Sequence, residues 1–164
     1  MSTSSTQDLV SQLANVLIKK RWHLSTAESC TGGLVAAAIT ELAGSSDWFE
    51  RGYVTYSNFA KSEDIHVSPE LIAQHGAVSD QVARAMAIGA KKSSHAEVAL
   101  SITGIAGPTG GSFEKPVGTV CFAWVLANDQ IYSETKFFSG SRQEVRQQAC
   151  EFSLKRLLEL LLIE

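Results

Sequence analysis

Apolar positions recur along the chain at spacings that change from helical to strand-like and back. Leu9, Leu13, Val16 and Leu17 share one face of a helix predicted over 6–20. A short strand is predicted over 24–27 and an Ala-rich helix over 33–42. Residues 51–56 alternate weakly and read as a second strand, closed by Tyr56. Ser57 is placed to cap a helix over 58–64. Ser68-Pro69 is a start signal and Gly76 a stop signal for the next helix, and Ser79 caps a longer one reaching Ser93. Residues 98–103 form an apolar strand, and 117–127 is apolar on both faces, as a central strand should be. Asn128-Asp129 makes a tight turn into a partner strand over 130–138. The last helix opens with the capping box Ser141-Arg142-Gln143-Glu144 and carries Cys150, Leu154, Leu157, Leu158 and Leu161 on one face. The polar start of the chain, residues 1–6 with Ser2 to Ser5 at its centre, is expected to be a disordered tip.

Strands separated by helices call for parallel pairing with helices on both faces, whereas the closing hairpin must be antiparallel. The expected fold is therefore α/β: a three-layer α/β/α sandwich around a mixed five-stranded sheet, mostly parallel, with an antiparallel strand from the hairpin. No internal repeat and no linker interrupts the pattern, so residues 1–164 read as a single domain. In that topology every unusual segment falls on one edge of the sheet, the carboxyl edge where open α/β sheets bind ligands.

Composition narrows the function classes. The net charge is −3 and no stretch gathers Lys or Arg, which argues against a sequence-independent grip on nucleic acid. Three well-separated cysteines without a C-x-x-C pair argue against a disulfide frame or a zinc site. The N-terminus lacks a signal-peptide pattern, and the Leu-rich C-terminus is too short and too charged to span a bilayer. We expect a cytoplasmic protein without membrane or nucleic-acid partners, forming a homo-oligomer, a dimer.

Four segments could carry chemistry. In Thr26-Ala27-Glu28-Ser29-Cys30-Thr31-Gly32-Gly33 a strand turns into a helix. Ser29 could present its hydroxyl there, with the N–H groups of Thr31, Gly32 and Gly33 free to hold an oxyanion or phosphate. The plainer alternative is a capping serine or threonine in a tight glycine turn. Cys30 beside it could be the nucleophile instead. The second segment places Tyr56 at a strand end and Lys61 about one helical turn later, both able to face Ser29. Lys61 is a useful base only if its pKa is lowered; otherwise it is a surface lysine. The third, Thr103 through Gly107, Gly110, Gly111 and Ser112, has more glycine than a hairpin needs and can wrap an anion with its amides. A disordered hairpin tip is the alternative. In the fourth, Arg142 stands beside a helix start and suits phosphate, unless the capping box merely leaves it solvated. His75 is a weaker candidate base. His23, His66 and His95 lack metal-ligand spacing, and no metal site is expected.

The segments T-A-E-S-C-T-G-G, G-Y-V-T-Y-S-N-x-x-K, H-G-A-V-S and S-I-T-G-I-A-G-P-T-G-G-S-x-x-K-P-V-G-T-V resemble the CinA C-terminal domain family, in the same order and over about 8–160. Stand-alone members of this length are nicotinamide-nucleotide amidohydrolases (NMN deamidases). The resemblance implies hydrolysis of the carboxamide of nicotinamide mononucleotide (NMN) to nicotinate mononucleotide and ammonia, in pyridine nucleotide recycling, without metal or cofactor. It implies Ser29 as nucleophile, working with Lys61 and Tyr56. Thr31, Gly32 and Gly33 would hold the oxyanion, and Thr103, the Gly107–Ser112 loop and Arg142 would bind substrate. The competing expectation is a catalytically silent nucleotide-binding or regulatory module of the same fold.

Overall fold

A computed structural model describes residues 3–163. The elements run α1 (Thr3–Lys20), β1 (Leu24–Glu28), α2 (Leu34–Thr40), a short 3-10 turn (Ser45–Asp47), β2 (Phe49–Val54), α3 (Asn58–Ile65), α4 (Pro69–His75), α5 (Asp80–Ser94), β3 (Val98–Gly104), β4 (Thr119–Val125), β5 (Ile131–Phe137) and α6 (Arg142–Leu162). The five strands form one sheet in the order β2-β1-β3-β4-β5. β1 is parallel to β2 and β3, and only β4 runs against its neighbours. The mixed, mostly parallel α/β sheet read from the sequence is the observed one.

The two faces of the sheet are filled differently. One packs large side chains, among them Leu100, Phe122 and Trp124, against Leu13 and Leu17 of α1, Ile39 of α2 and Leu154 and Leu157 of α6. Each such burial contributes roughly 1.5–3 kcal/mol. The Trp124 indole N–H is satisfied inside this layer by the Ser153 carbonyl, at 3.0 Å. The other face is lined by small residues, Ala27, Ala99, Ser101 and Ala123, which let α5 approach closely. The Ser101 hydroxyl donates to the Ala83 carbonyl of α5 at 2.6 Å. Gly89 of α5 meets the end of α3 so tightly that a Cβ there would stand 1.9 Å from the Ile65 carbonyl oxygen.

Several boundaries depart from the sequence reading. Residues 3–5, expected in a disordered tip, form the first turn of α1, while Met1 and Ser2 lie outside the described residues. The first strand continues one residue further, to Glu28, and β2 spans 49–54 rather than 51–56. β2 is set by its partner: Leu24 N–H donates to the Trp48 carbonyl, and Glu28 lies opposite Val54. Thr55 N–H makes the last bond of the ladder, to the Glu28 carbonyl, and Ser57 then caps α3. Tyr56 therefore follows the strand instead of closing it. Residues 117–118 belong to the glycine-rich loop, because Gly118 N–H folds back onto the Ile105 carbonyl. That loop is tied down: Ser112 and Lys115 close a turn, and Lys115 Nζ donates to the His75 carbonyl at 2.8 Å. Among the described residues no helix is long and apolar enough to cross a membrane.

Candidate active site

The turn after β1 is built around a carboxylate. Glu28 is fully buried at the end of an interior strand. Its Oε1 accepts from the Thr31 hydroxyl at 2.6 Å and from the amides of Gly33 (3.2 Å) and Val35 (3.0 Å). Its Oε2 accepts from the Ala36 amide at 3.1 Å. The start of α2 is thus occupied by the chain's own anion, which is where an electropositive helix end favours one. The expectation that Gly32 and Gly33 offer free N–H groups is corrected: Gly33 donates to Glu28, and Gly32 donates to the Ser29 carbonyl at 3.0 Å. Thr31 is buried and its hydroxyl is held by Glu28, so its side chain does not reach a ligand.

Ser29 and Lys61 meet. The Ser29 amide is anchored to the Ile102 carbonyl of β3 at 2.9 Å, and its hydroxyl lies 3.0 Å from Lys61 Nζ. Lys61 is no surface lysine; it is 1% exposed. Nζ also donates to the carbonyls of Thr55 (2.9 Å) and Tyr56 (3.1 Å). Burial pulls the Lys61 pKa below the ordinary lysine range, with a weaker opposing contribution from Cys30. Nζ also lies 3.5 Å from the Ser57 carbonyl, so three carbonyls and the Ser29 hydroxyl surround it. A neutral amine among them can donate its two hydrogens to carbonyls and present its lone pair to the hydroxyl.

Tyr56 reaches this pair through its main chain. Its carbonyl accepts from Lys61 and lies 3.5 Å from the Ser29 hydroxyl. Its phenol is exposed and accepts from Arg142 Nη2 at 3.1 Å. Arg142 Nη1 donates to the Gly107 carbonyl at 2.8 Å, so one guanidinium links the start of α6, the glycine-rich loop and Tyr56. The capping box is present as well: Ser141 and Glu144 exchange bonds. Arg142 is nonetheless held across the cleft and not left solvated.

These groups line a cleft of about 280 Å³ at the carboxyl edge of the sheet. Ser29, Cys30, Tyr56, Lys61, Gly107 and Arg142 face it. Thr103 and Gly110 line it too, although the Thr103 hydroxyl donates to the Ala77 carbonyl at 2.9 Å. Gly111 and Ser112 are not brought to it. A Cβ on Gly111 would press on the Val117 amide, and Ser112 serves the turn to Lys115. Gly107 must be glycine, since its φ is +83° and a Cβ would lie 2.4 Å from Val117 Cγ1. Among the described residues, the amides of Ala106, Gly107, Thr109 and Gly110 donate no hydrogen bond within the chain.

Of the rival nucleophile and base, Cys30 stays at the cleft and His75 does not. Burial pushes the Cys30 thiol up to about 12, so it stays protonated near neutrality. His75 lines a neighbouring depression with Asp80 and Lys115. Among the described residues no three His, Cys, Asp or Glu side chains come together as a metal-ligand set.

A family model described as the CinA C-terminal domain matches residues 6–161. The chain belongs to the CinA C-terminal domain family. It is 52% identical over 157 residues to the nicotinamide-nucleotide amidohydrolase PncC of Escherichia coli K12, covering 96% of this chain and 95% of that protein. The PncC of Enterobacter agglomerans is 49% identical over 158 residues, covering 96% of each. The crystal structure of a CinA superfamily protein from Klebsiella pneumoniae superposes with a TM-score of 0.93 at 38% identity, covering 97% of this chain and 99% of that one.

Two residues of this CinA domain escaped the sequence reading. Glu28 stood inside a quoted motif with no role assigned; an acid in an otherwise uncharged strand end, just before S-C-T-G-G, was the available signal. Arg146 donates from Nε to the Cys30 carbonyl (3.0 Å) and from Nη2 to the Thr31 carbonyl (3.2 Å). In the pattern E-V-R-Q-Q it looks like any solvated helix residue.

Proposed function

We propose that this chain is a nicotinamide-nucleotide amidohydrolase, converting NMN and water to nicotinate mononucleotide and ammonia. The observation that carries the reading is the buried Ser29–Lys61 contact of 3.0 Å, with Nζ hydrogens directed at the Thr55 and Tyr56 carbonyls. The PncC names of relatives near 50% identity supply the substrate.

An amide is a weak electrophile, so the attacking hydroxyl needs a base and the oxyanion needs donors. Neutral Lys61 takes the Ser29 proton as Oγ bonds to the carboxamide carbon. The resulting ammonium returns that proton to the departing nitrogen, the C–N bond breaks, and ammonia leaves a nicotinoyl ester on Ser29. Lys61 then takes a proton from water, whose oxygen attacks the ester carbonyl, and Ser29 Oγ leaves with the proton. Tyr56 holds Lys61 through its carbonyl, while its phenol forms one wall of the cleft. The nucleotide phosphate lies against the amides of Ala106, Gly107, Thr109 and Gly110 and the remaining Arg142 N–H groups, in keeping with the lack of internal acceptors for those amides. The setting we propose is cytoplasmic pyridine nucleotide recycling by a homodimer.

The test is ammonia release from NMN by purified protein, followed by Ser29→Ala. Turnover that disappears in Ser29→Ala, with a nicotinoyl adduct trapped on Ser29 in the wild type, establishes the reading. NMN binding without ammonia would instead make the chain a silent nucleotide-binding module.

A further inference from the structure

Each main-chain amide from Ser29 to Ala36 can be followed to its acceptor. Ser29 goes to Ile102, Gly32 to Ser29, Leu34 to Thr31, and Gly33, Val35 and Ala36 to Glu28. Two remain. Among the described residues, the Thr31 amide donates to nothing inside the chain, and the Cys30 amide finds no acceptor beyond its own sulfur. Both belong to buried residues, where orphaned N–H groups are rare. They adjoin the proposed nucleophile, and they precede the helix start that Glu28 already fills.

Arg146 lies behind both. Its Nε bonds the Cys30 carbonyl, which shares a peptide plane with the Thr31 N–H. Its Nη2 bonds the Thr31 carbonyl, which shares a plane with the Gly32 N–H. Gly32 N–H in turn bonds the Ser29 carbonyl, which shares a plane with the Cys30 N–H. In a trans peptide the N–H points opposite to the C=O, so each free amide is turned away from the donor that fixes its plane. Donation from a cation to a carbonyl also polarises the peptide, strengthening its N–H as a donor, and bonds in series reinforce one another. The Thr31 amide ends a one-step chain from Arg146, and the Cys30 amide ends a two-step chain.

We infer that the Cys30 and Thr31 amides are the oxyanion donors and that Arg146 is the residue that positions and polarises them. The inference deepens the serine-hydrolase reading above and rests on it. Arg146 touches no reacting atom. It acts on the transition state, in which charge develops on the carbonyl oxygen, and leaves ground-state binding of NMN nearly unchanged.

The experiment compares wild type, Arg146→Ala and Arg146→Lys in two assays: steady-state NMN hydrolysis, and covalent labelling of Ser29 by a small fluorophosphonate. The label forms a tetrahedral centre with a phosphoryl oxygen but needs no nucleotide recognition. Arg146→Ala is expected to lose about 10- to 100-fold in kcat, with KM changed less than about threefold. Labelling should slow in parallel, and added guanidinium should restore part of both rates. Arg146→Lys, which cannot hold two carbonyls in one plane, should stay impaired. Near-UV circular dichroism and Tm confirm that each variant is folded, and if Arg146→Ala is not, the folded Arg146→Lys decides. Unchanged kcat and labelling in a folded variant, a rise in KM alone, or a loss that guanidinium leaves untouched would overturn the inference. A wild type that is labelled but inert towards NMN, with labelling still dependent on Arg146, would sink the substrate reading and keep this one. A wild type neither labelled nor active would remove both.

Discussion

Glu28 and Lys61 are both buried, both ionisable and both next to Ser29, one by sequence and one by contact, yet they are surrounded in opposite ways. Glu28 collects four donors, three of them main-chain amides at a helix start. Its charge is wanted where it stands. Lys61 meets uncharged oxygens only, and burial works against its ammonium form. A buried carboxylate with full hydrogen bonding serves as a structural anchor. A buried amine, kept short of compensating charge, is available to accept a proton. The distinction lies in the partners and not in the depth.

Neutralising each residue should therefore have different consequences, and the largest concerns turnover. Lys61→Met and Lys61→Arg should each lower kcat for NMN by at least about 10³-fold, since arginine keeps the charge but cannot act as a base near neutrality. In the wild type the rate should fall as pH drops through the Lys61 pKa, below the usual lysine value, and His75→Ala should keep that acid limb. A Lys61→Arg protein with wild-type turnover would show that the base lies elsewhere.

Stability should respond in the other order. Glu28→Gln puts an amide NH2 among donors and should cost about 2–4 kcal/mol, lowering Tm by roughly 5–15 °C. Lys61→Met should leave Tm within about 3 °C of wild type at pH 7. The sign follows from the lowered pKa. Between the folded value and 10.5 the unfolded chain binds more protons, so the wild type gains stability from this group as pH rises. The Tm of Lys61→Met relative to wild type should accordingly decline from pH 7 to pH 10. A Glu28→Gln protein as stable as wild type would show that the carboxylate anchors nothing.

Arg142→Gln should reduce kcat/KM for NMN by about tenfold or more while leaving any hydrolysis of free nicotinamide unaffected, which parallel assays on the two amides would read. Equal losses on both would mean that Arg142 shapes the cleft and does not bind phosphate. The smallest effect is expected at Cys30. Cys30→Ala should retain activity within about threefold, and iodoacetamide at pH 8 should leave the wild-type thiol unmodified, because the thiolate is scarce far below its pKa of about 12.

The sequence carried the fold well because periodicity and caps act locally. Ser57, Ser68, Ser79 and Ser141 each cap the helix expected of them. The β2 boundary was less legible, since an edge strand with four exposed residues has little alternation and takes its limits from β1. At the site, the pairing of Ser29 with Lys61 was legible through motif and topology together. The roles of Tyr56, Glu28 and Arg146 were not, because each acts with main-chain atoms, which leave no residue type to recognise. Arg146 reaches carbonyls 115 and 116 positions away. Two of the three amides assigned to the oxyanion from sequence were displaced for the same reason: nothing in T-G-G says that Glu28 has claimed Gly33 and the Ser29 carbonyl Gly32, while Thr31 keeps a free amide.

Gly89 has a reach that its distance from the cleft conceals. The helix α3 that carries Lys61 is stopped from behind by α5, with only a hydrogen atom's room at the Ile65 carbonyl. A larger residue at 89 must separate α5 from the end of α3, and Lys61, one turn before Ile65, is expected to move with α3. Laboratory evolution that randomises α5 should thus recover glycine at this position under selection for turnover. Folded variants that escape the constraint should be inactive at a distance, their amine drawn off the Ser29 hydroxyl. The heritable precision of the dyad is stored in a residue with no side chain.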